Sequence, residues 1–494
     1  MSDSTLPPSA SVESHRLVAS FLRSMGYSDT LEALLRESSS TDERLPGLIE
    51  RPSTAFGAGH DLQDVVEEYL ASRLARSKLE DPTAPLVDNL KRLELKGKLP
   101  DRVKTAITDG SNVLTVQRGI LPKRSWDSDE LRFRSEHIPC LFTTAVDRSL
   151  KVYSTDTFEL LDSFSLPSPA LALAQHPQSD QARFVICATM EGSLTVIDLV
   201  TREVKAKVKD HVKYIVRAAW SPDGQFIATL GYDKLIHLYR FSTFTSTSSA
   251  DVPALLDDEA PDLLASTPSV SLELVYSLTT RTNPEAAVFL PDSRWLVWSA
   301  RDDHLLHYLN MPADGEEPQW ETETYNLNEN GDAFVSFSVL SIALHPTLPL
   351  LSLQTSTTNA RLLLYPYNSS TRLLTLHTTA QQSEYFAPRQ TWLPSGAGVA
   401  VNSEDGIVRL VDLQGRVRLA KGAHGPAAPL EVVEGEGDVS EELKTERARA
   451  RREADKGSSV IRDVEVLLGE EPAAEGWRLV SCGFDKTVKV LEGL

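Results

Sequence analysis

The chain has 494 residues, of which 41% are hydrophobic and 24% charged, and carries a formal net charge of −20. That balance describes a globular protein and disfavours a direct nucleic-acid binder, which needs clustered Lys and Arg to displace counterions. The three cysteines, Cys140, Cys187 and Cys482, are too far apart for a CxxC metal or redox site. Buried strand thiols in a reducing compartment are expected, with no metal and no cofactor.

The opening MSDSTLPPSASVES lacks the basic start and apolar core of a secretion signal, and no apolar run approaches the ~20 residues that span a bilayer. A cytoplasmic or nuclear protein without a membrane partner is expected. Residues 11–38 follow. Leu17, Val18, Phe21, Leu22 and Met25 are spaced for one helix face, Gly26 suits a left-handed stop, and Asp29 with Glu32 forms a capping pair. Leu31, Leu34 and Leu35 continue on a second helix. Two helices this short are marginal in water, so their apolar faces need a partner. Residues 39–60 read as a linker. Residues 61–97 read as a helical region with one helix over 61–79 and another over 85–96, the second opened by Pro85 and stopped by Gly97.

From residue 112 to 494 one phrase recurs: SLKVYS, SLTVID, TVKVLE. Each is an alternating strand, and three positions before its first apolar residue sits a turn residue. The seven turn residues are Asp147, Glu191, Asp233, Asp303, Asn359, Asp405 and Asp485. Four residues earlier stand Thr143, Cys187, Thr229, Ser299, Thr355, Val401 and Ser481, inside a preceding apolar strand. Strand, tight acidic turn, strand is a hairpin. Further strands upstream, such as IVRAAW before SPDG, and downstream, such as EVKAKVK, make four strands per unit. Successive turn residues are 42 to 80 residues apart, the shortest spacings fitting a four-stranded propeller blade of ~40–45 residues. Polar inserts over 241–270, 310–332 and 431–459 account for the longer ones. Within the last, a helix over 440–456 is acidic early and basic late, as the helix dipole prefers.

A four-stranded sheet alone buries too little to be stable, whereas seven packed in a ring share a continuous core. The chain is thus expected to be all-β, a seven-bladed propeller. No outer strand follows the last phrase, so the alternating segment NVLTVQRG, residues 112–119, is expected to supply it and close the ring. No phosphate-binding loop, nucleophile elbow or metalloprotease motif is present, so a non-catalytic protein without a small-molecule substrate is expected.

The repeat resembles the WD-repeat family, best over DHVKYIVRAAWSPDGQFIATLGYDKLIHLYRF, residues 210–241. His211 matches the family's His before the first strand, Thr229 its strand hydroxyl and Asp233 its turn Asp, and the resemblance implies a structural hydrogen-bond set among the three. The family's Trp position holds Tyr239 here, and its Trp-Asp pair is absent throughout. A hydroxyl and an acid recurring in nearly every blade mark a scaffold, whereas a catalytic triad would occur once. The N-terminal pattern resembles a LisH motif through Leu17, Phe21, Leu22, Gly26, Tyr27, Thr30, Leu34 and Glu37. This likeness implies homodimerisation through Leu17, Phe21, Leu22, Tyr27, Leu31 and Leu34. Together the resemblances imply a protein-interaction scaffold: an N-terminal α-helical LisH dimerisation region and a propeller presenting a binding surface within a multiprotein complex. The alternatives are a substrate-receptor subunit of a ubiquitin ligase, or an enzyme with a hydrolytic site on a propeller loop.

Overall fold

The computed structural model describes residues 10–41, 83–95, 99–127, 132–244, 268–312, 320–328, 331–357, 360–384, 386–425, 459–468 and 476–493. The expected helices over 61–79 and 440–456 lie outside the described residues. The chain divides into two compact units, Met1–Pro85 and Leu86–Leu494.

In the first unit α1 (Ala10–Ser24) and α2 (Ser28–Thr41) meet at Gly26, whose φ is 75°. Gly26 N–H donates to Arg23 O at 3.3 Å and Tyr27 N–H to Leu22 O at 2.9 Å, the paired bonds of a Schellman stop. Helix α2 runs to Thr41, three residues into the stretch read as linker. Within it the Ser38 and Ser39 hydroxyls donate back to the carbonyls of Leu35 and Arg36 at 2.9 and 2.6 Å, so they do not compete for the helix's own N–H groups.

Helix α3 (Ala84–Arg92) enters the second unit at Leu86, and there Leu90, with Leu86 and Leu93 beside it, packs against Leu362, Leu364 and Trp392 of the propeller. It stops at Arg92, short of the expected residue 96. Leu95, beyond the helix, is buried in a neighbouring apolar cluster.

The propeller has seven four-stranded antiparallel sheets. Strand β1 (Arg102–Thr108) precedes the first of them. Blade 1 is β2 (Val113–Asp127), β3 (Arg132–Ala145), β4 (Ser149–Ser154) and β5 (Leu160–Ser165). Blade 2 is β6 (Ala170–Gln175), β7 (Phe184–Thr189), β8 (Leu194–Asp198) and β9 (Glu203–Val208). Blade 3 is β10 (Ile215–Trp220), β11 (Phe226–Gly231), β12 (Leu235–Phe244) and β13 (Ser269–Thr279). Blade 4 is β14 (Pro284–Phe289), β15 (Trp295–Ala300), β16 (Leu305–Asn310) and β17 (Thr322–Asn326). Blade 5 is β18 (Val339–Leu344), β19 (Leu350–Thr355), β20 (Arg361–Pro366) and β21 (Leu374–His377). Blade 6 is β22 (Gln390–Trp392), β23 (Gly398–Val401), β24 (Ile407–Asp412) and β25 (Val417–Gly422). Blade 7 is β26 (Ile461–Leu468), β27 (Trp477–Gly483) and β28 (Thr487–Glu492), with β1 as its outer strand.

Each of seven apolar clusters lies between two consecutive blades, so every sheet is buried on both faces near its centre. Leu150, Val152, Val185 and Cys187 join blades 1 and 2. Val113, Leu141, Val480 and Val488 join blades 7 and 1. All three cysteines are buried on strands, and burial raises their thiol pKa, to about 12 for Cys187.

Two expectations need correction. The ring is closed by β1, not by residues 112–119: Arg102 pairs with Glu492 and Thr108 with Thr487. Residues 113–119 instead begin the inner strand of blade 1, and the propeller starts near residue 102. The two segments differ in burial. Val113, Leu114 and Val116 are buried on both faces, as an inner strand requires, while β1 is exposed at most positions, as an outer strand permits. The second correction concerns the insert 310–332, which holds the outer strand of blade 4. Strand β17 is polar because it lies at the rim, yet its Tyr325 ring packs edge-on against Tyr308, centroids 5.0 Å apart. Strands also reach into both ends of the insert 241–270, through β12 and β13.

Candidate functional site

The antiparallel order gives the ring two faces. The turns between second and third strands and the connections between blades share one, here the upper face. The remaining turns share the lower face.

The six predicted turn acids among the described residues lie on the upper face. Asp147 accepts from Ser149 N at 3.1 Å and from Lys151 Nζ at 3.1 Å. Lys151 also donates to Asp109 at 2.5 Å, which ties the crossing from β1 to β2 to blade 1. Glu191 accepts from Ser193 Oγ at 3.0 Å and Lys207 Nζ at 2.9 Å. Asp303 accepts from His307 Nε2 at 2.8 Å and Leu305 N at 3.1 Å. Asp405 takes Arg409 through both oxygens, at 3.0 and 2.6 Å. Asn359 lies outside the described residues.

His211, Thr229 and Asp233 come together. His211 Nδ1 lies 3.0 Å from Asp233 Oδ1, His211 Nε2 lies 2.9 Å from Thr229 Oγ1, and Val212 N donates to Asp233 at 2.8 Å. With Nδ1–H donating to the carboxylate, Nε2 accepts from the threonine hydroxyl. Both His211 and Thr229 are buried, which suits a joint between connection and strand. Tyr239, at the resembled family's Trp position, donates its hydroxyl to Asp210 at 3.0 Å.

A second set of this kind lies in blade 7. His424 Nδ1 is 2.9 Å from Asp485 Oδ1, and His424 Nε2 is 2.9 Å from Ser481 Oγ. The sequence hides it, because the insert separates His424 from its own blade. The signal that could have found it is Gly-aromatic-Asp: Gly231–Tyr232–Asp233 and Gly483–Phe484–Asp485. The glycine is required, because a Cβ at Gly231 would lie 2.2 Å from His211 Nδ1 and 2.3 Å from Asp233 Oδ1. Asp198 and Asp412 were also missed, although Ile197–Asp198–Leu199 and Val411–Asp412–Leu413 repeat in the sequence. Asp198 accepts from Arg183 Nε and Nη2 at 3.0 and 2.7 Å, and both side chains are buried.

Two lower-face histidines join neighbouring blades. His176 accepts from Gln178 N at Nδ1 and donates from Nε2 to Gly224 O at 3.3 Å. His345 does the same with Thr347 N and Gly396 O, the latter at 3.0 Å. Burial holds both imidazoles below their ordinary pKa. The unfolded chain, with histidines near ~6.5, therefore takes up protons first as pH falls. Their contribution to stability is complete above about pH 6.5 and declines below it. Replacing His345 with Gln is expected to flatten the fall of melting temperature between about pH 6.5 and 5. An unchanged slope in a pH series of thermal melts refutes this. The acids Asp147, Asp233, Asp303 and Asp485 add a second loss at lower pH. Burial opposes their ionisation, but hydrogen bonds from Ser149, His211, His307 and His424 outweigh it and lower their pKa. Their contribution is present above about pH 4 and disappears as pH falls further.

On the axis a cavity of about 310 Å³ is lined from the inner strands and upper loops. Its origin is a repeated bulge. In six blades the inner-strand register shifts after its first residue, leaving Leu114, Leu171, Val216, Glu285, Leu340 and Arg462 without a cross-strand partner. Bulges re-aim side chains, and the last five of these line the cavity. Two of the six are charged where the others are Leu or Val. Aligning the inner strands would have exposed Glu285 and Arg462. Glu285 accepts from Arg301 Nε at 2.6 Å and Tyr232 OH at 3.0 Å, yet burial still raises its pKa. Arg217 and Arg389 form a second tier, three residues before Trp220 and Trp392. Arg217 donates to Pro388 O at 3.2 Å, and Arg389 Nε lies 3.8 Å from Asp463. Of the cations beside the upper-face turns, Arg301 lines this cavity; Arg148, Lys234 and Lys486 hold left-handed turn positions at φ 65°, 67° and 65°. Around the cavity the upper face exposes apolar side chains: Val146, Met190, Val212 (87% exposed) and Phe334 (73% exposed).

Among known families, the one described as "WD domain, G-beta repeat" matches residues 202–240, the stretch holding the His211–Thr229–Asp233 set. Over 128 residues the chain is 26% identical to the chromatin assembly factor 1 subunit FAS2 homolog of Oryza sativa subsp. japonica. The match covers 25% of this chain and 25% of that relative. The chain thus carries a WD repeat domain folded as a seven-bladed propeller, the type of domain that serves as a protein-interaction scaffold. No described helix is long and apolar enough to cross a membrane.

Proposed function

We propose that the protein is an interaction scaffold of a nuclear multiprotein complex, dimerised by its N-terminal helices and docking a partner protein on the upper propeller face. The observation that carries the docking face is the ring of exposed Val146, Met190, Val212 and Phe334 around a charged axial cavity. Turn tips favour polar residues, and apolar side chains rimming a concavity mark contact surfaces. The nuclear setting rests on the relative named as a chromatin assembly factor subunit. Self-association is supported by the LisH-like pattern and by Val18, Met25 and Tyr27, all exposed apolar side chains of the helical pair. Joining two propellers makes binding bivalent, which raises avidity for a repeated or dimeric partner.

Three variants of the full chain test this reading. Val212→Glu with Met190→Glu is expected to abolish recovery of the partner set captured from native nuclei, whereas Val204→Glu, on an outer strand, leaves it intact. Phe21→Asp is expected to halve the sedimenting mass without shifting the propeller's melting temperature. Equal capture by both surface variants removes the docking face, and a dimeric Phe21→Asp removes the helical dimer.

A further inference from the structure

We infer that the axial cavity receives an anionic side chain of the docked partner, carboxylate or phosphorylated, held by the guanidinium groups of Arg462 and Arg389. This inference rests on the upper face being the docking surface.

The charge count comes first. The chain is strongly acidic, at −20, yet the cavity is lined by four arginines (Arg217, Arg301, Arg389, Arg462) against two glutamates. Most of these charges have internal roles. Arg301 is bound to Glu285, and Glu384 is exposed at the rim. Arg217 donates to a backbone carbonyl. Arg389 faces Asp463 at 3.8 Å, beyond hydrogen-bond distance, while Asp463 accepts from the backbone of Val116 and Val464 at 3.1 and 3.0 Å. What remains is a pair of donors. Arg389 Nη1 and Arg462 Nε are buried, and neither has a protein acceptor among the described residues.

Desolvated donors without acceptors are costly, each by about as much as a lost hydrogen bond to a charged group, and they persist where a ligand uses them. Burial lowers the pKa of both groups, to about 10 for Arg389, and a guanidinium keeps its charge in a protein. The Arg462 guanidinium carbon also lies 5.5 Å from the Phe484 ring centre, a contact that helps fix its position. Two forked cations at one site match the paired oxygens of a carboxylate or phosphate. A volume near 310 Å³ stands at the low end for ligand pockets, enough for one side-chain head group rather than a folded segment. A lysine or methylated lysine would place a third cation beside the guanidinium groups of Arg389 and Arg462.

The full-length protein is titrated at constant ionic strength with inorganic phosphate and, separately, with glutarate, following the melting temperature. A saturable rise is expected with at least one. Which arm responds distinguishes a phosphorylated from a carboxylate side chain. Arg462→Gln and Arg389→Gln are each expected to weaken the apparent affinity at least about tenfold, while Arg148→Gln, an exposed turn residue of the same face, leaves it unchanged. Melts of the unliganded variants separate misfolding from lost binding, and Arg462→Gln should melt no lower than the parent because its Nε has no acceptor to lose. A response that does not saturate, one equal in Arg462→Gln, or stabilisation by methylguanidinium in place of the anions overturns the inference. Flat titrations with partner capture still abolished by Val212→Glu and Met190→Glu reject the anion site and leave the docking face standing.

Discussion

A chain beginning at Asp109 is expected to lose cooperative unfolding of the propeller, whereas one beginning at Thr83, which keeps β1, is expected to retain it. Strand β1 supplies the fourth strand of the sheet holding β26, β27 and β28, pairing from Arg102 through Thr108. Its removal bares the edge of β28 and withdraws Ile107 from the cluster formed with Val113, Leu141, Val480 and Val488. Burial of one isoleucine is worth about 1.5–3 kcal/mol. The ring effect is larger: this pairing joins the two ends of the propeller, so without it the seam between blades 7 and 1 opens while the six other interfaces remain closed. The open edge also invites pairing between chains. Calorimetry should show a broadened, lower transition with aggregation. An unchanged midpoint for the chain starting at Asp109 would mean that β1 contributes little to closure.

The ring itself was legible because a blade writes its second and third strands the same way each time. The acid in the turn between them has a local duty, accepting backbone N–H groups two residues on, as Asp233 does from Leu235 N and Asp485 from Thr487 N. Local duties leave local signatures. The closing strand was not legible, since β1 and residues 113–119 both alternate, and what separates them is burial on one face or two, a property of neighbours remote in sequence. Strand β17 was hidden for a related reason: an outer strand at the rim can be as polar as a loop. The axial cavity was partly readable. Glu285 and Arg462 stand where other blades carry Leu or Val, but that comparison needs the inner strands in register, and the bulge after their first residue shifts that register. His424 escaped because a long insert stands between it and the acid it meets.

Replacing Arg183 with Met is expected to destabilise the propeller by about 3–5 kcal/mol, and replacing Arg418 with Met by about 1 kcal/mol or less, although each arginine meets an aspartate at the same place in its blade. Arg183 reaches Asp198 with side-chain exposures of 2% and 0%, whereas Arg418 reaches Asp412 at 3.3 Å with its own side chain 36% exposed. In both blades the carboxylate organises the following turn: Asp198 accepts from Val200 N at 2.9 Å, and Asp412 from Gln414 and Arg416 N at 3.0 and 2.8 Å. Methionine keeps much of the aliphatic packing, so the comparison isolates the charge. Without Arg183 a carboxylate remains in a dry site with only backbone partners, the condition under which breaking a buried pair costs most. Without Arg418, water reaches the vacated position and screens Asp412. Urea unfolding of the two variants decides the matter. Similar losses would show that the turn bonds, and not the buried pairing, hold these aspartates, and a small loss for Arg183→Met would mean that solvent enters blade 2 as readily as blade 6.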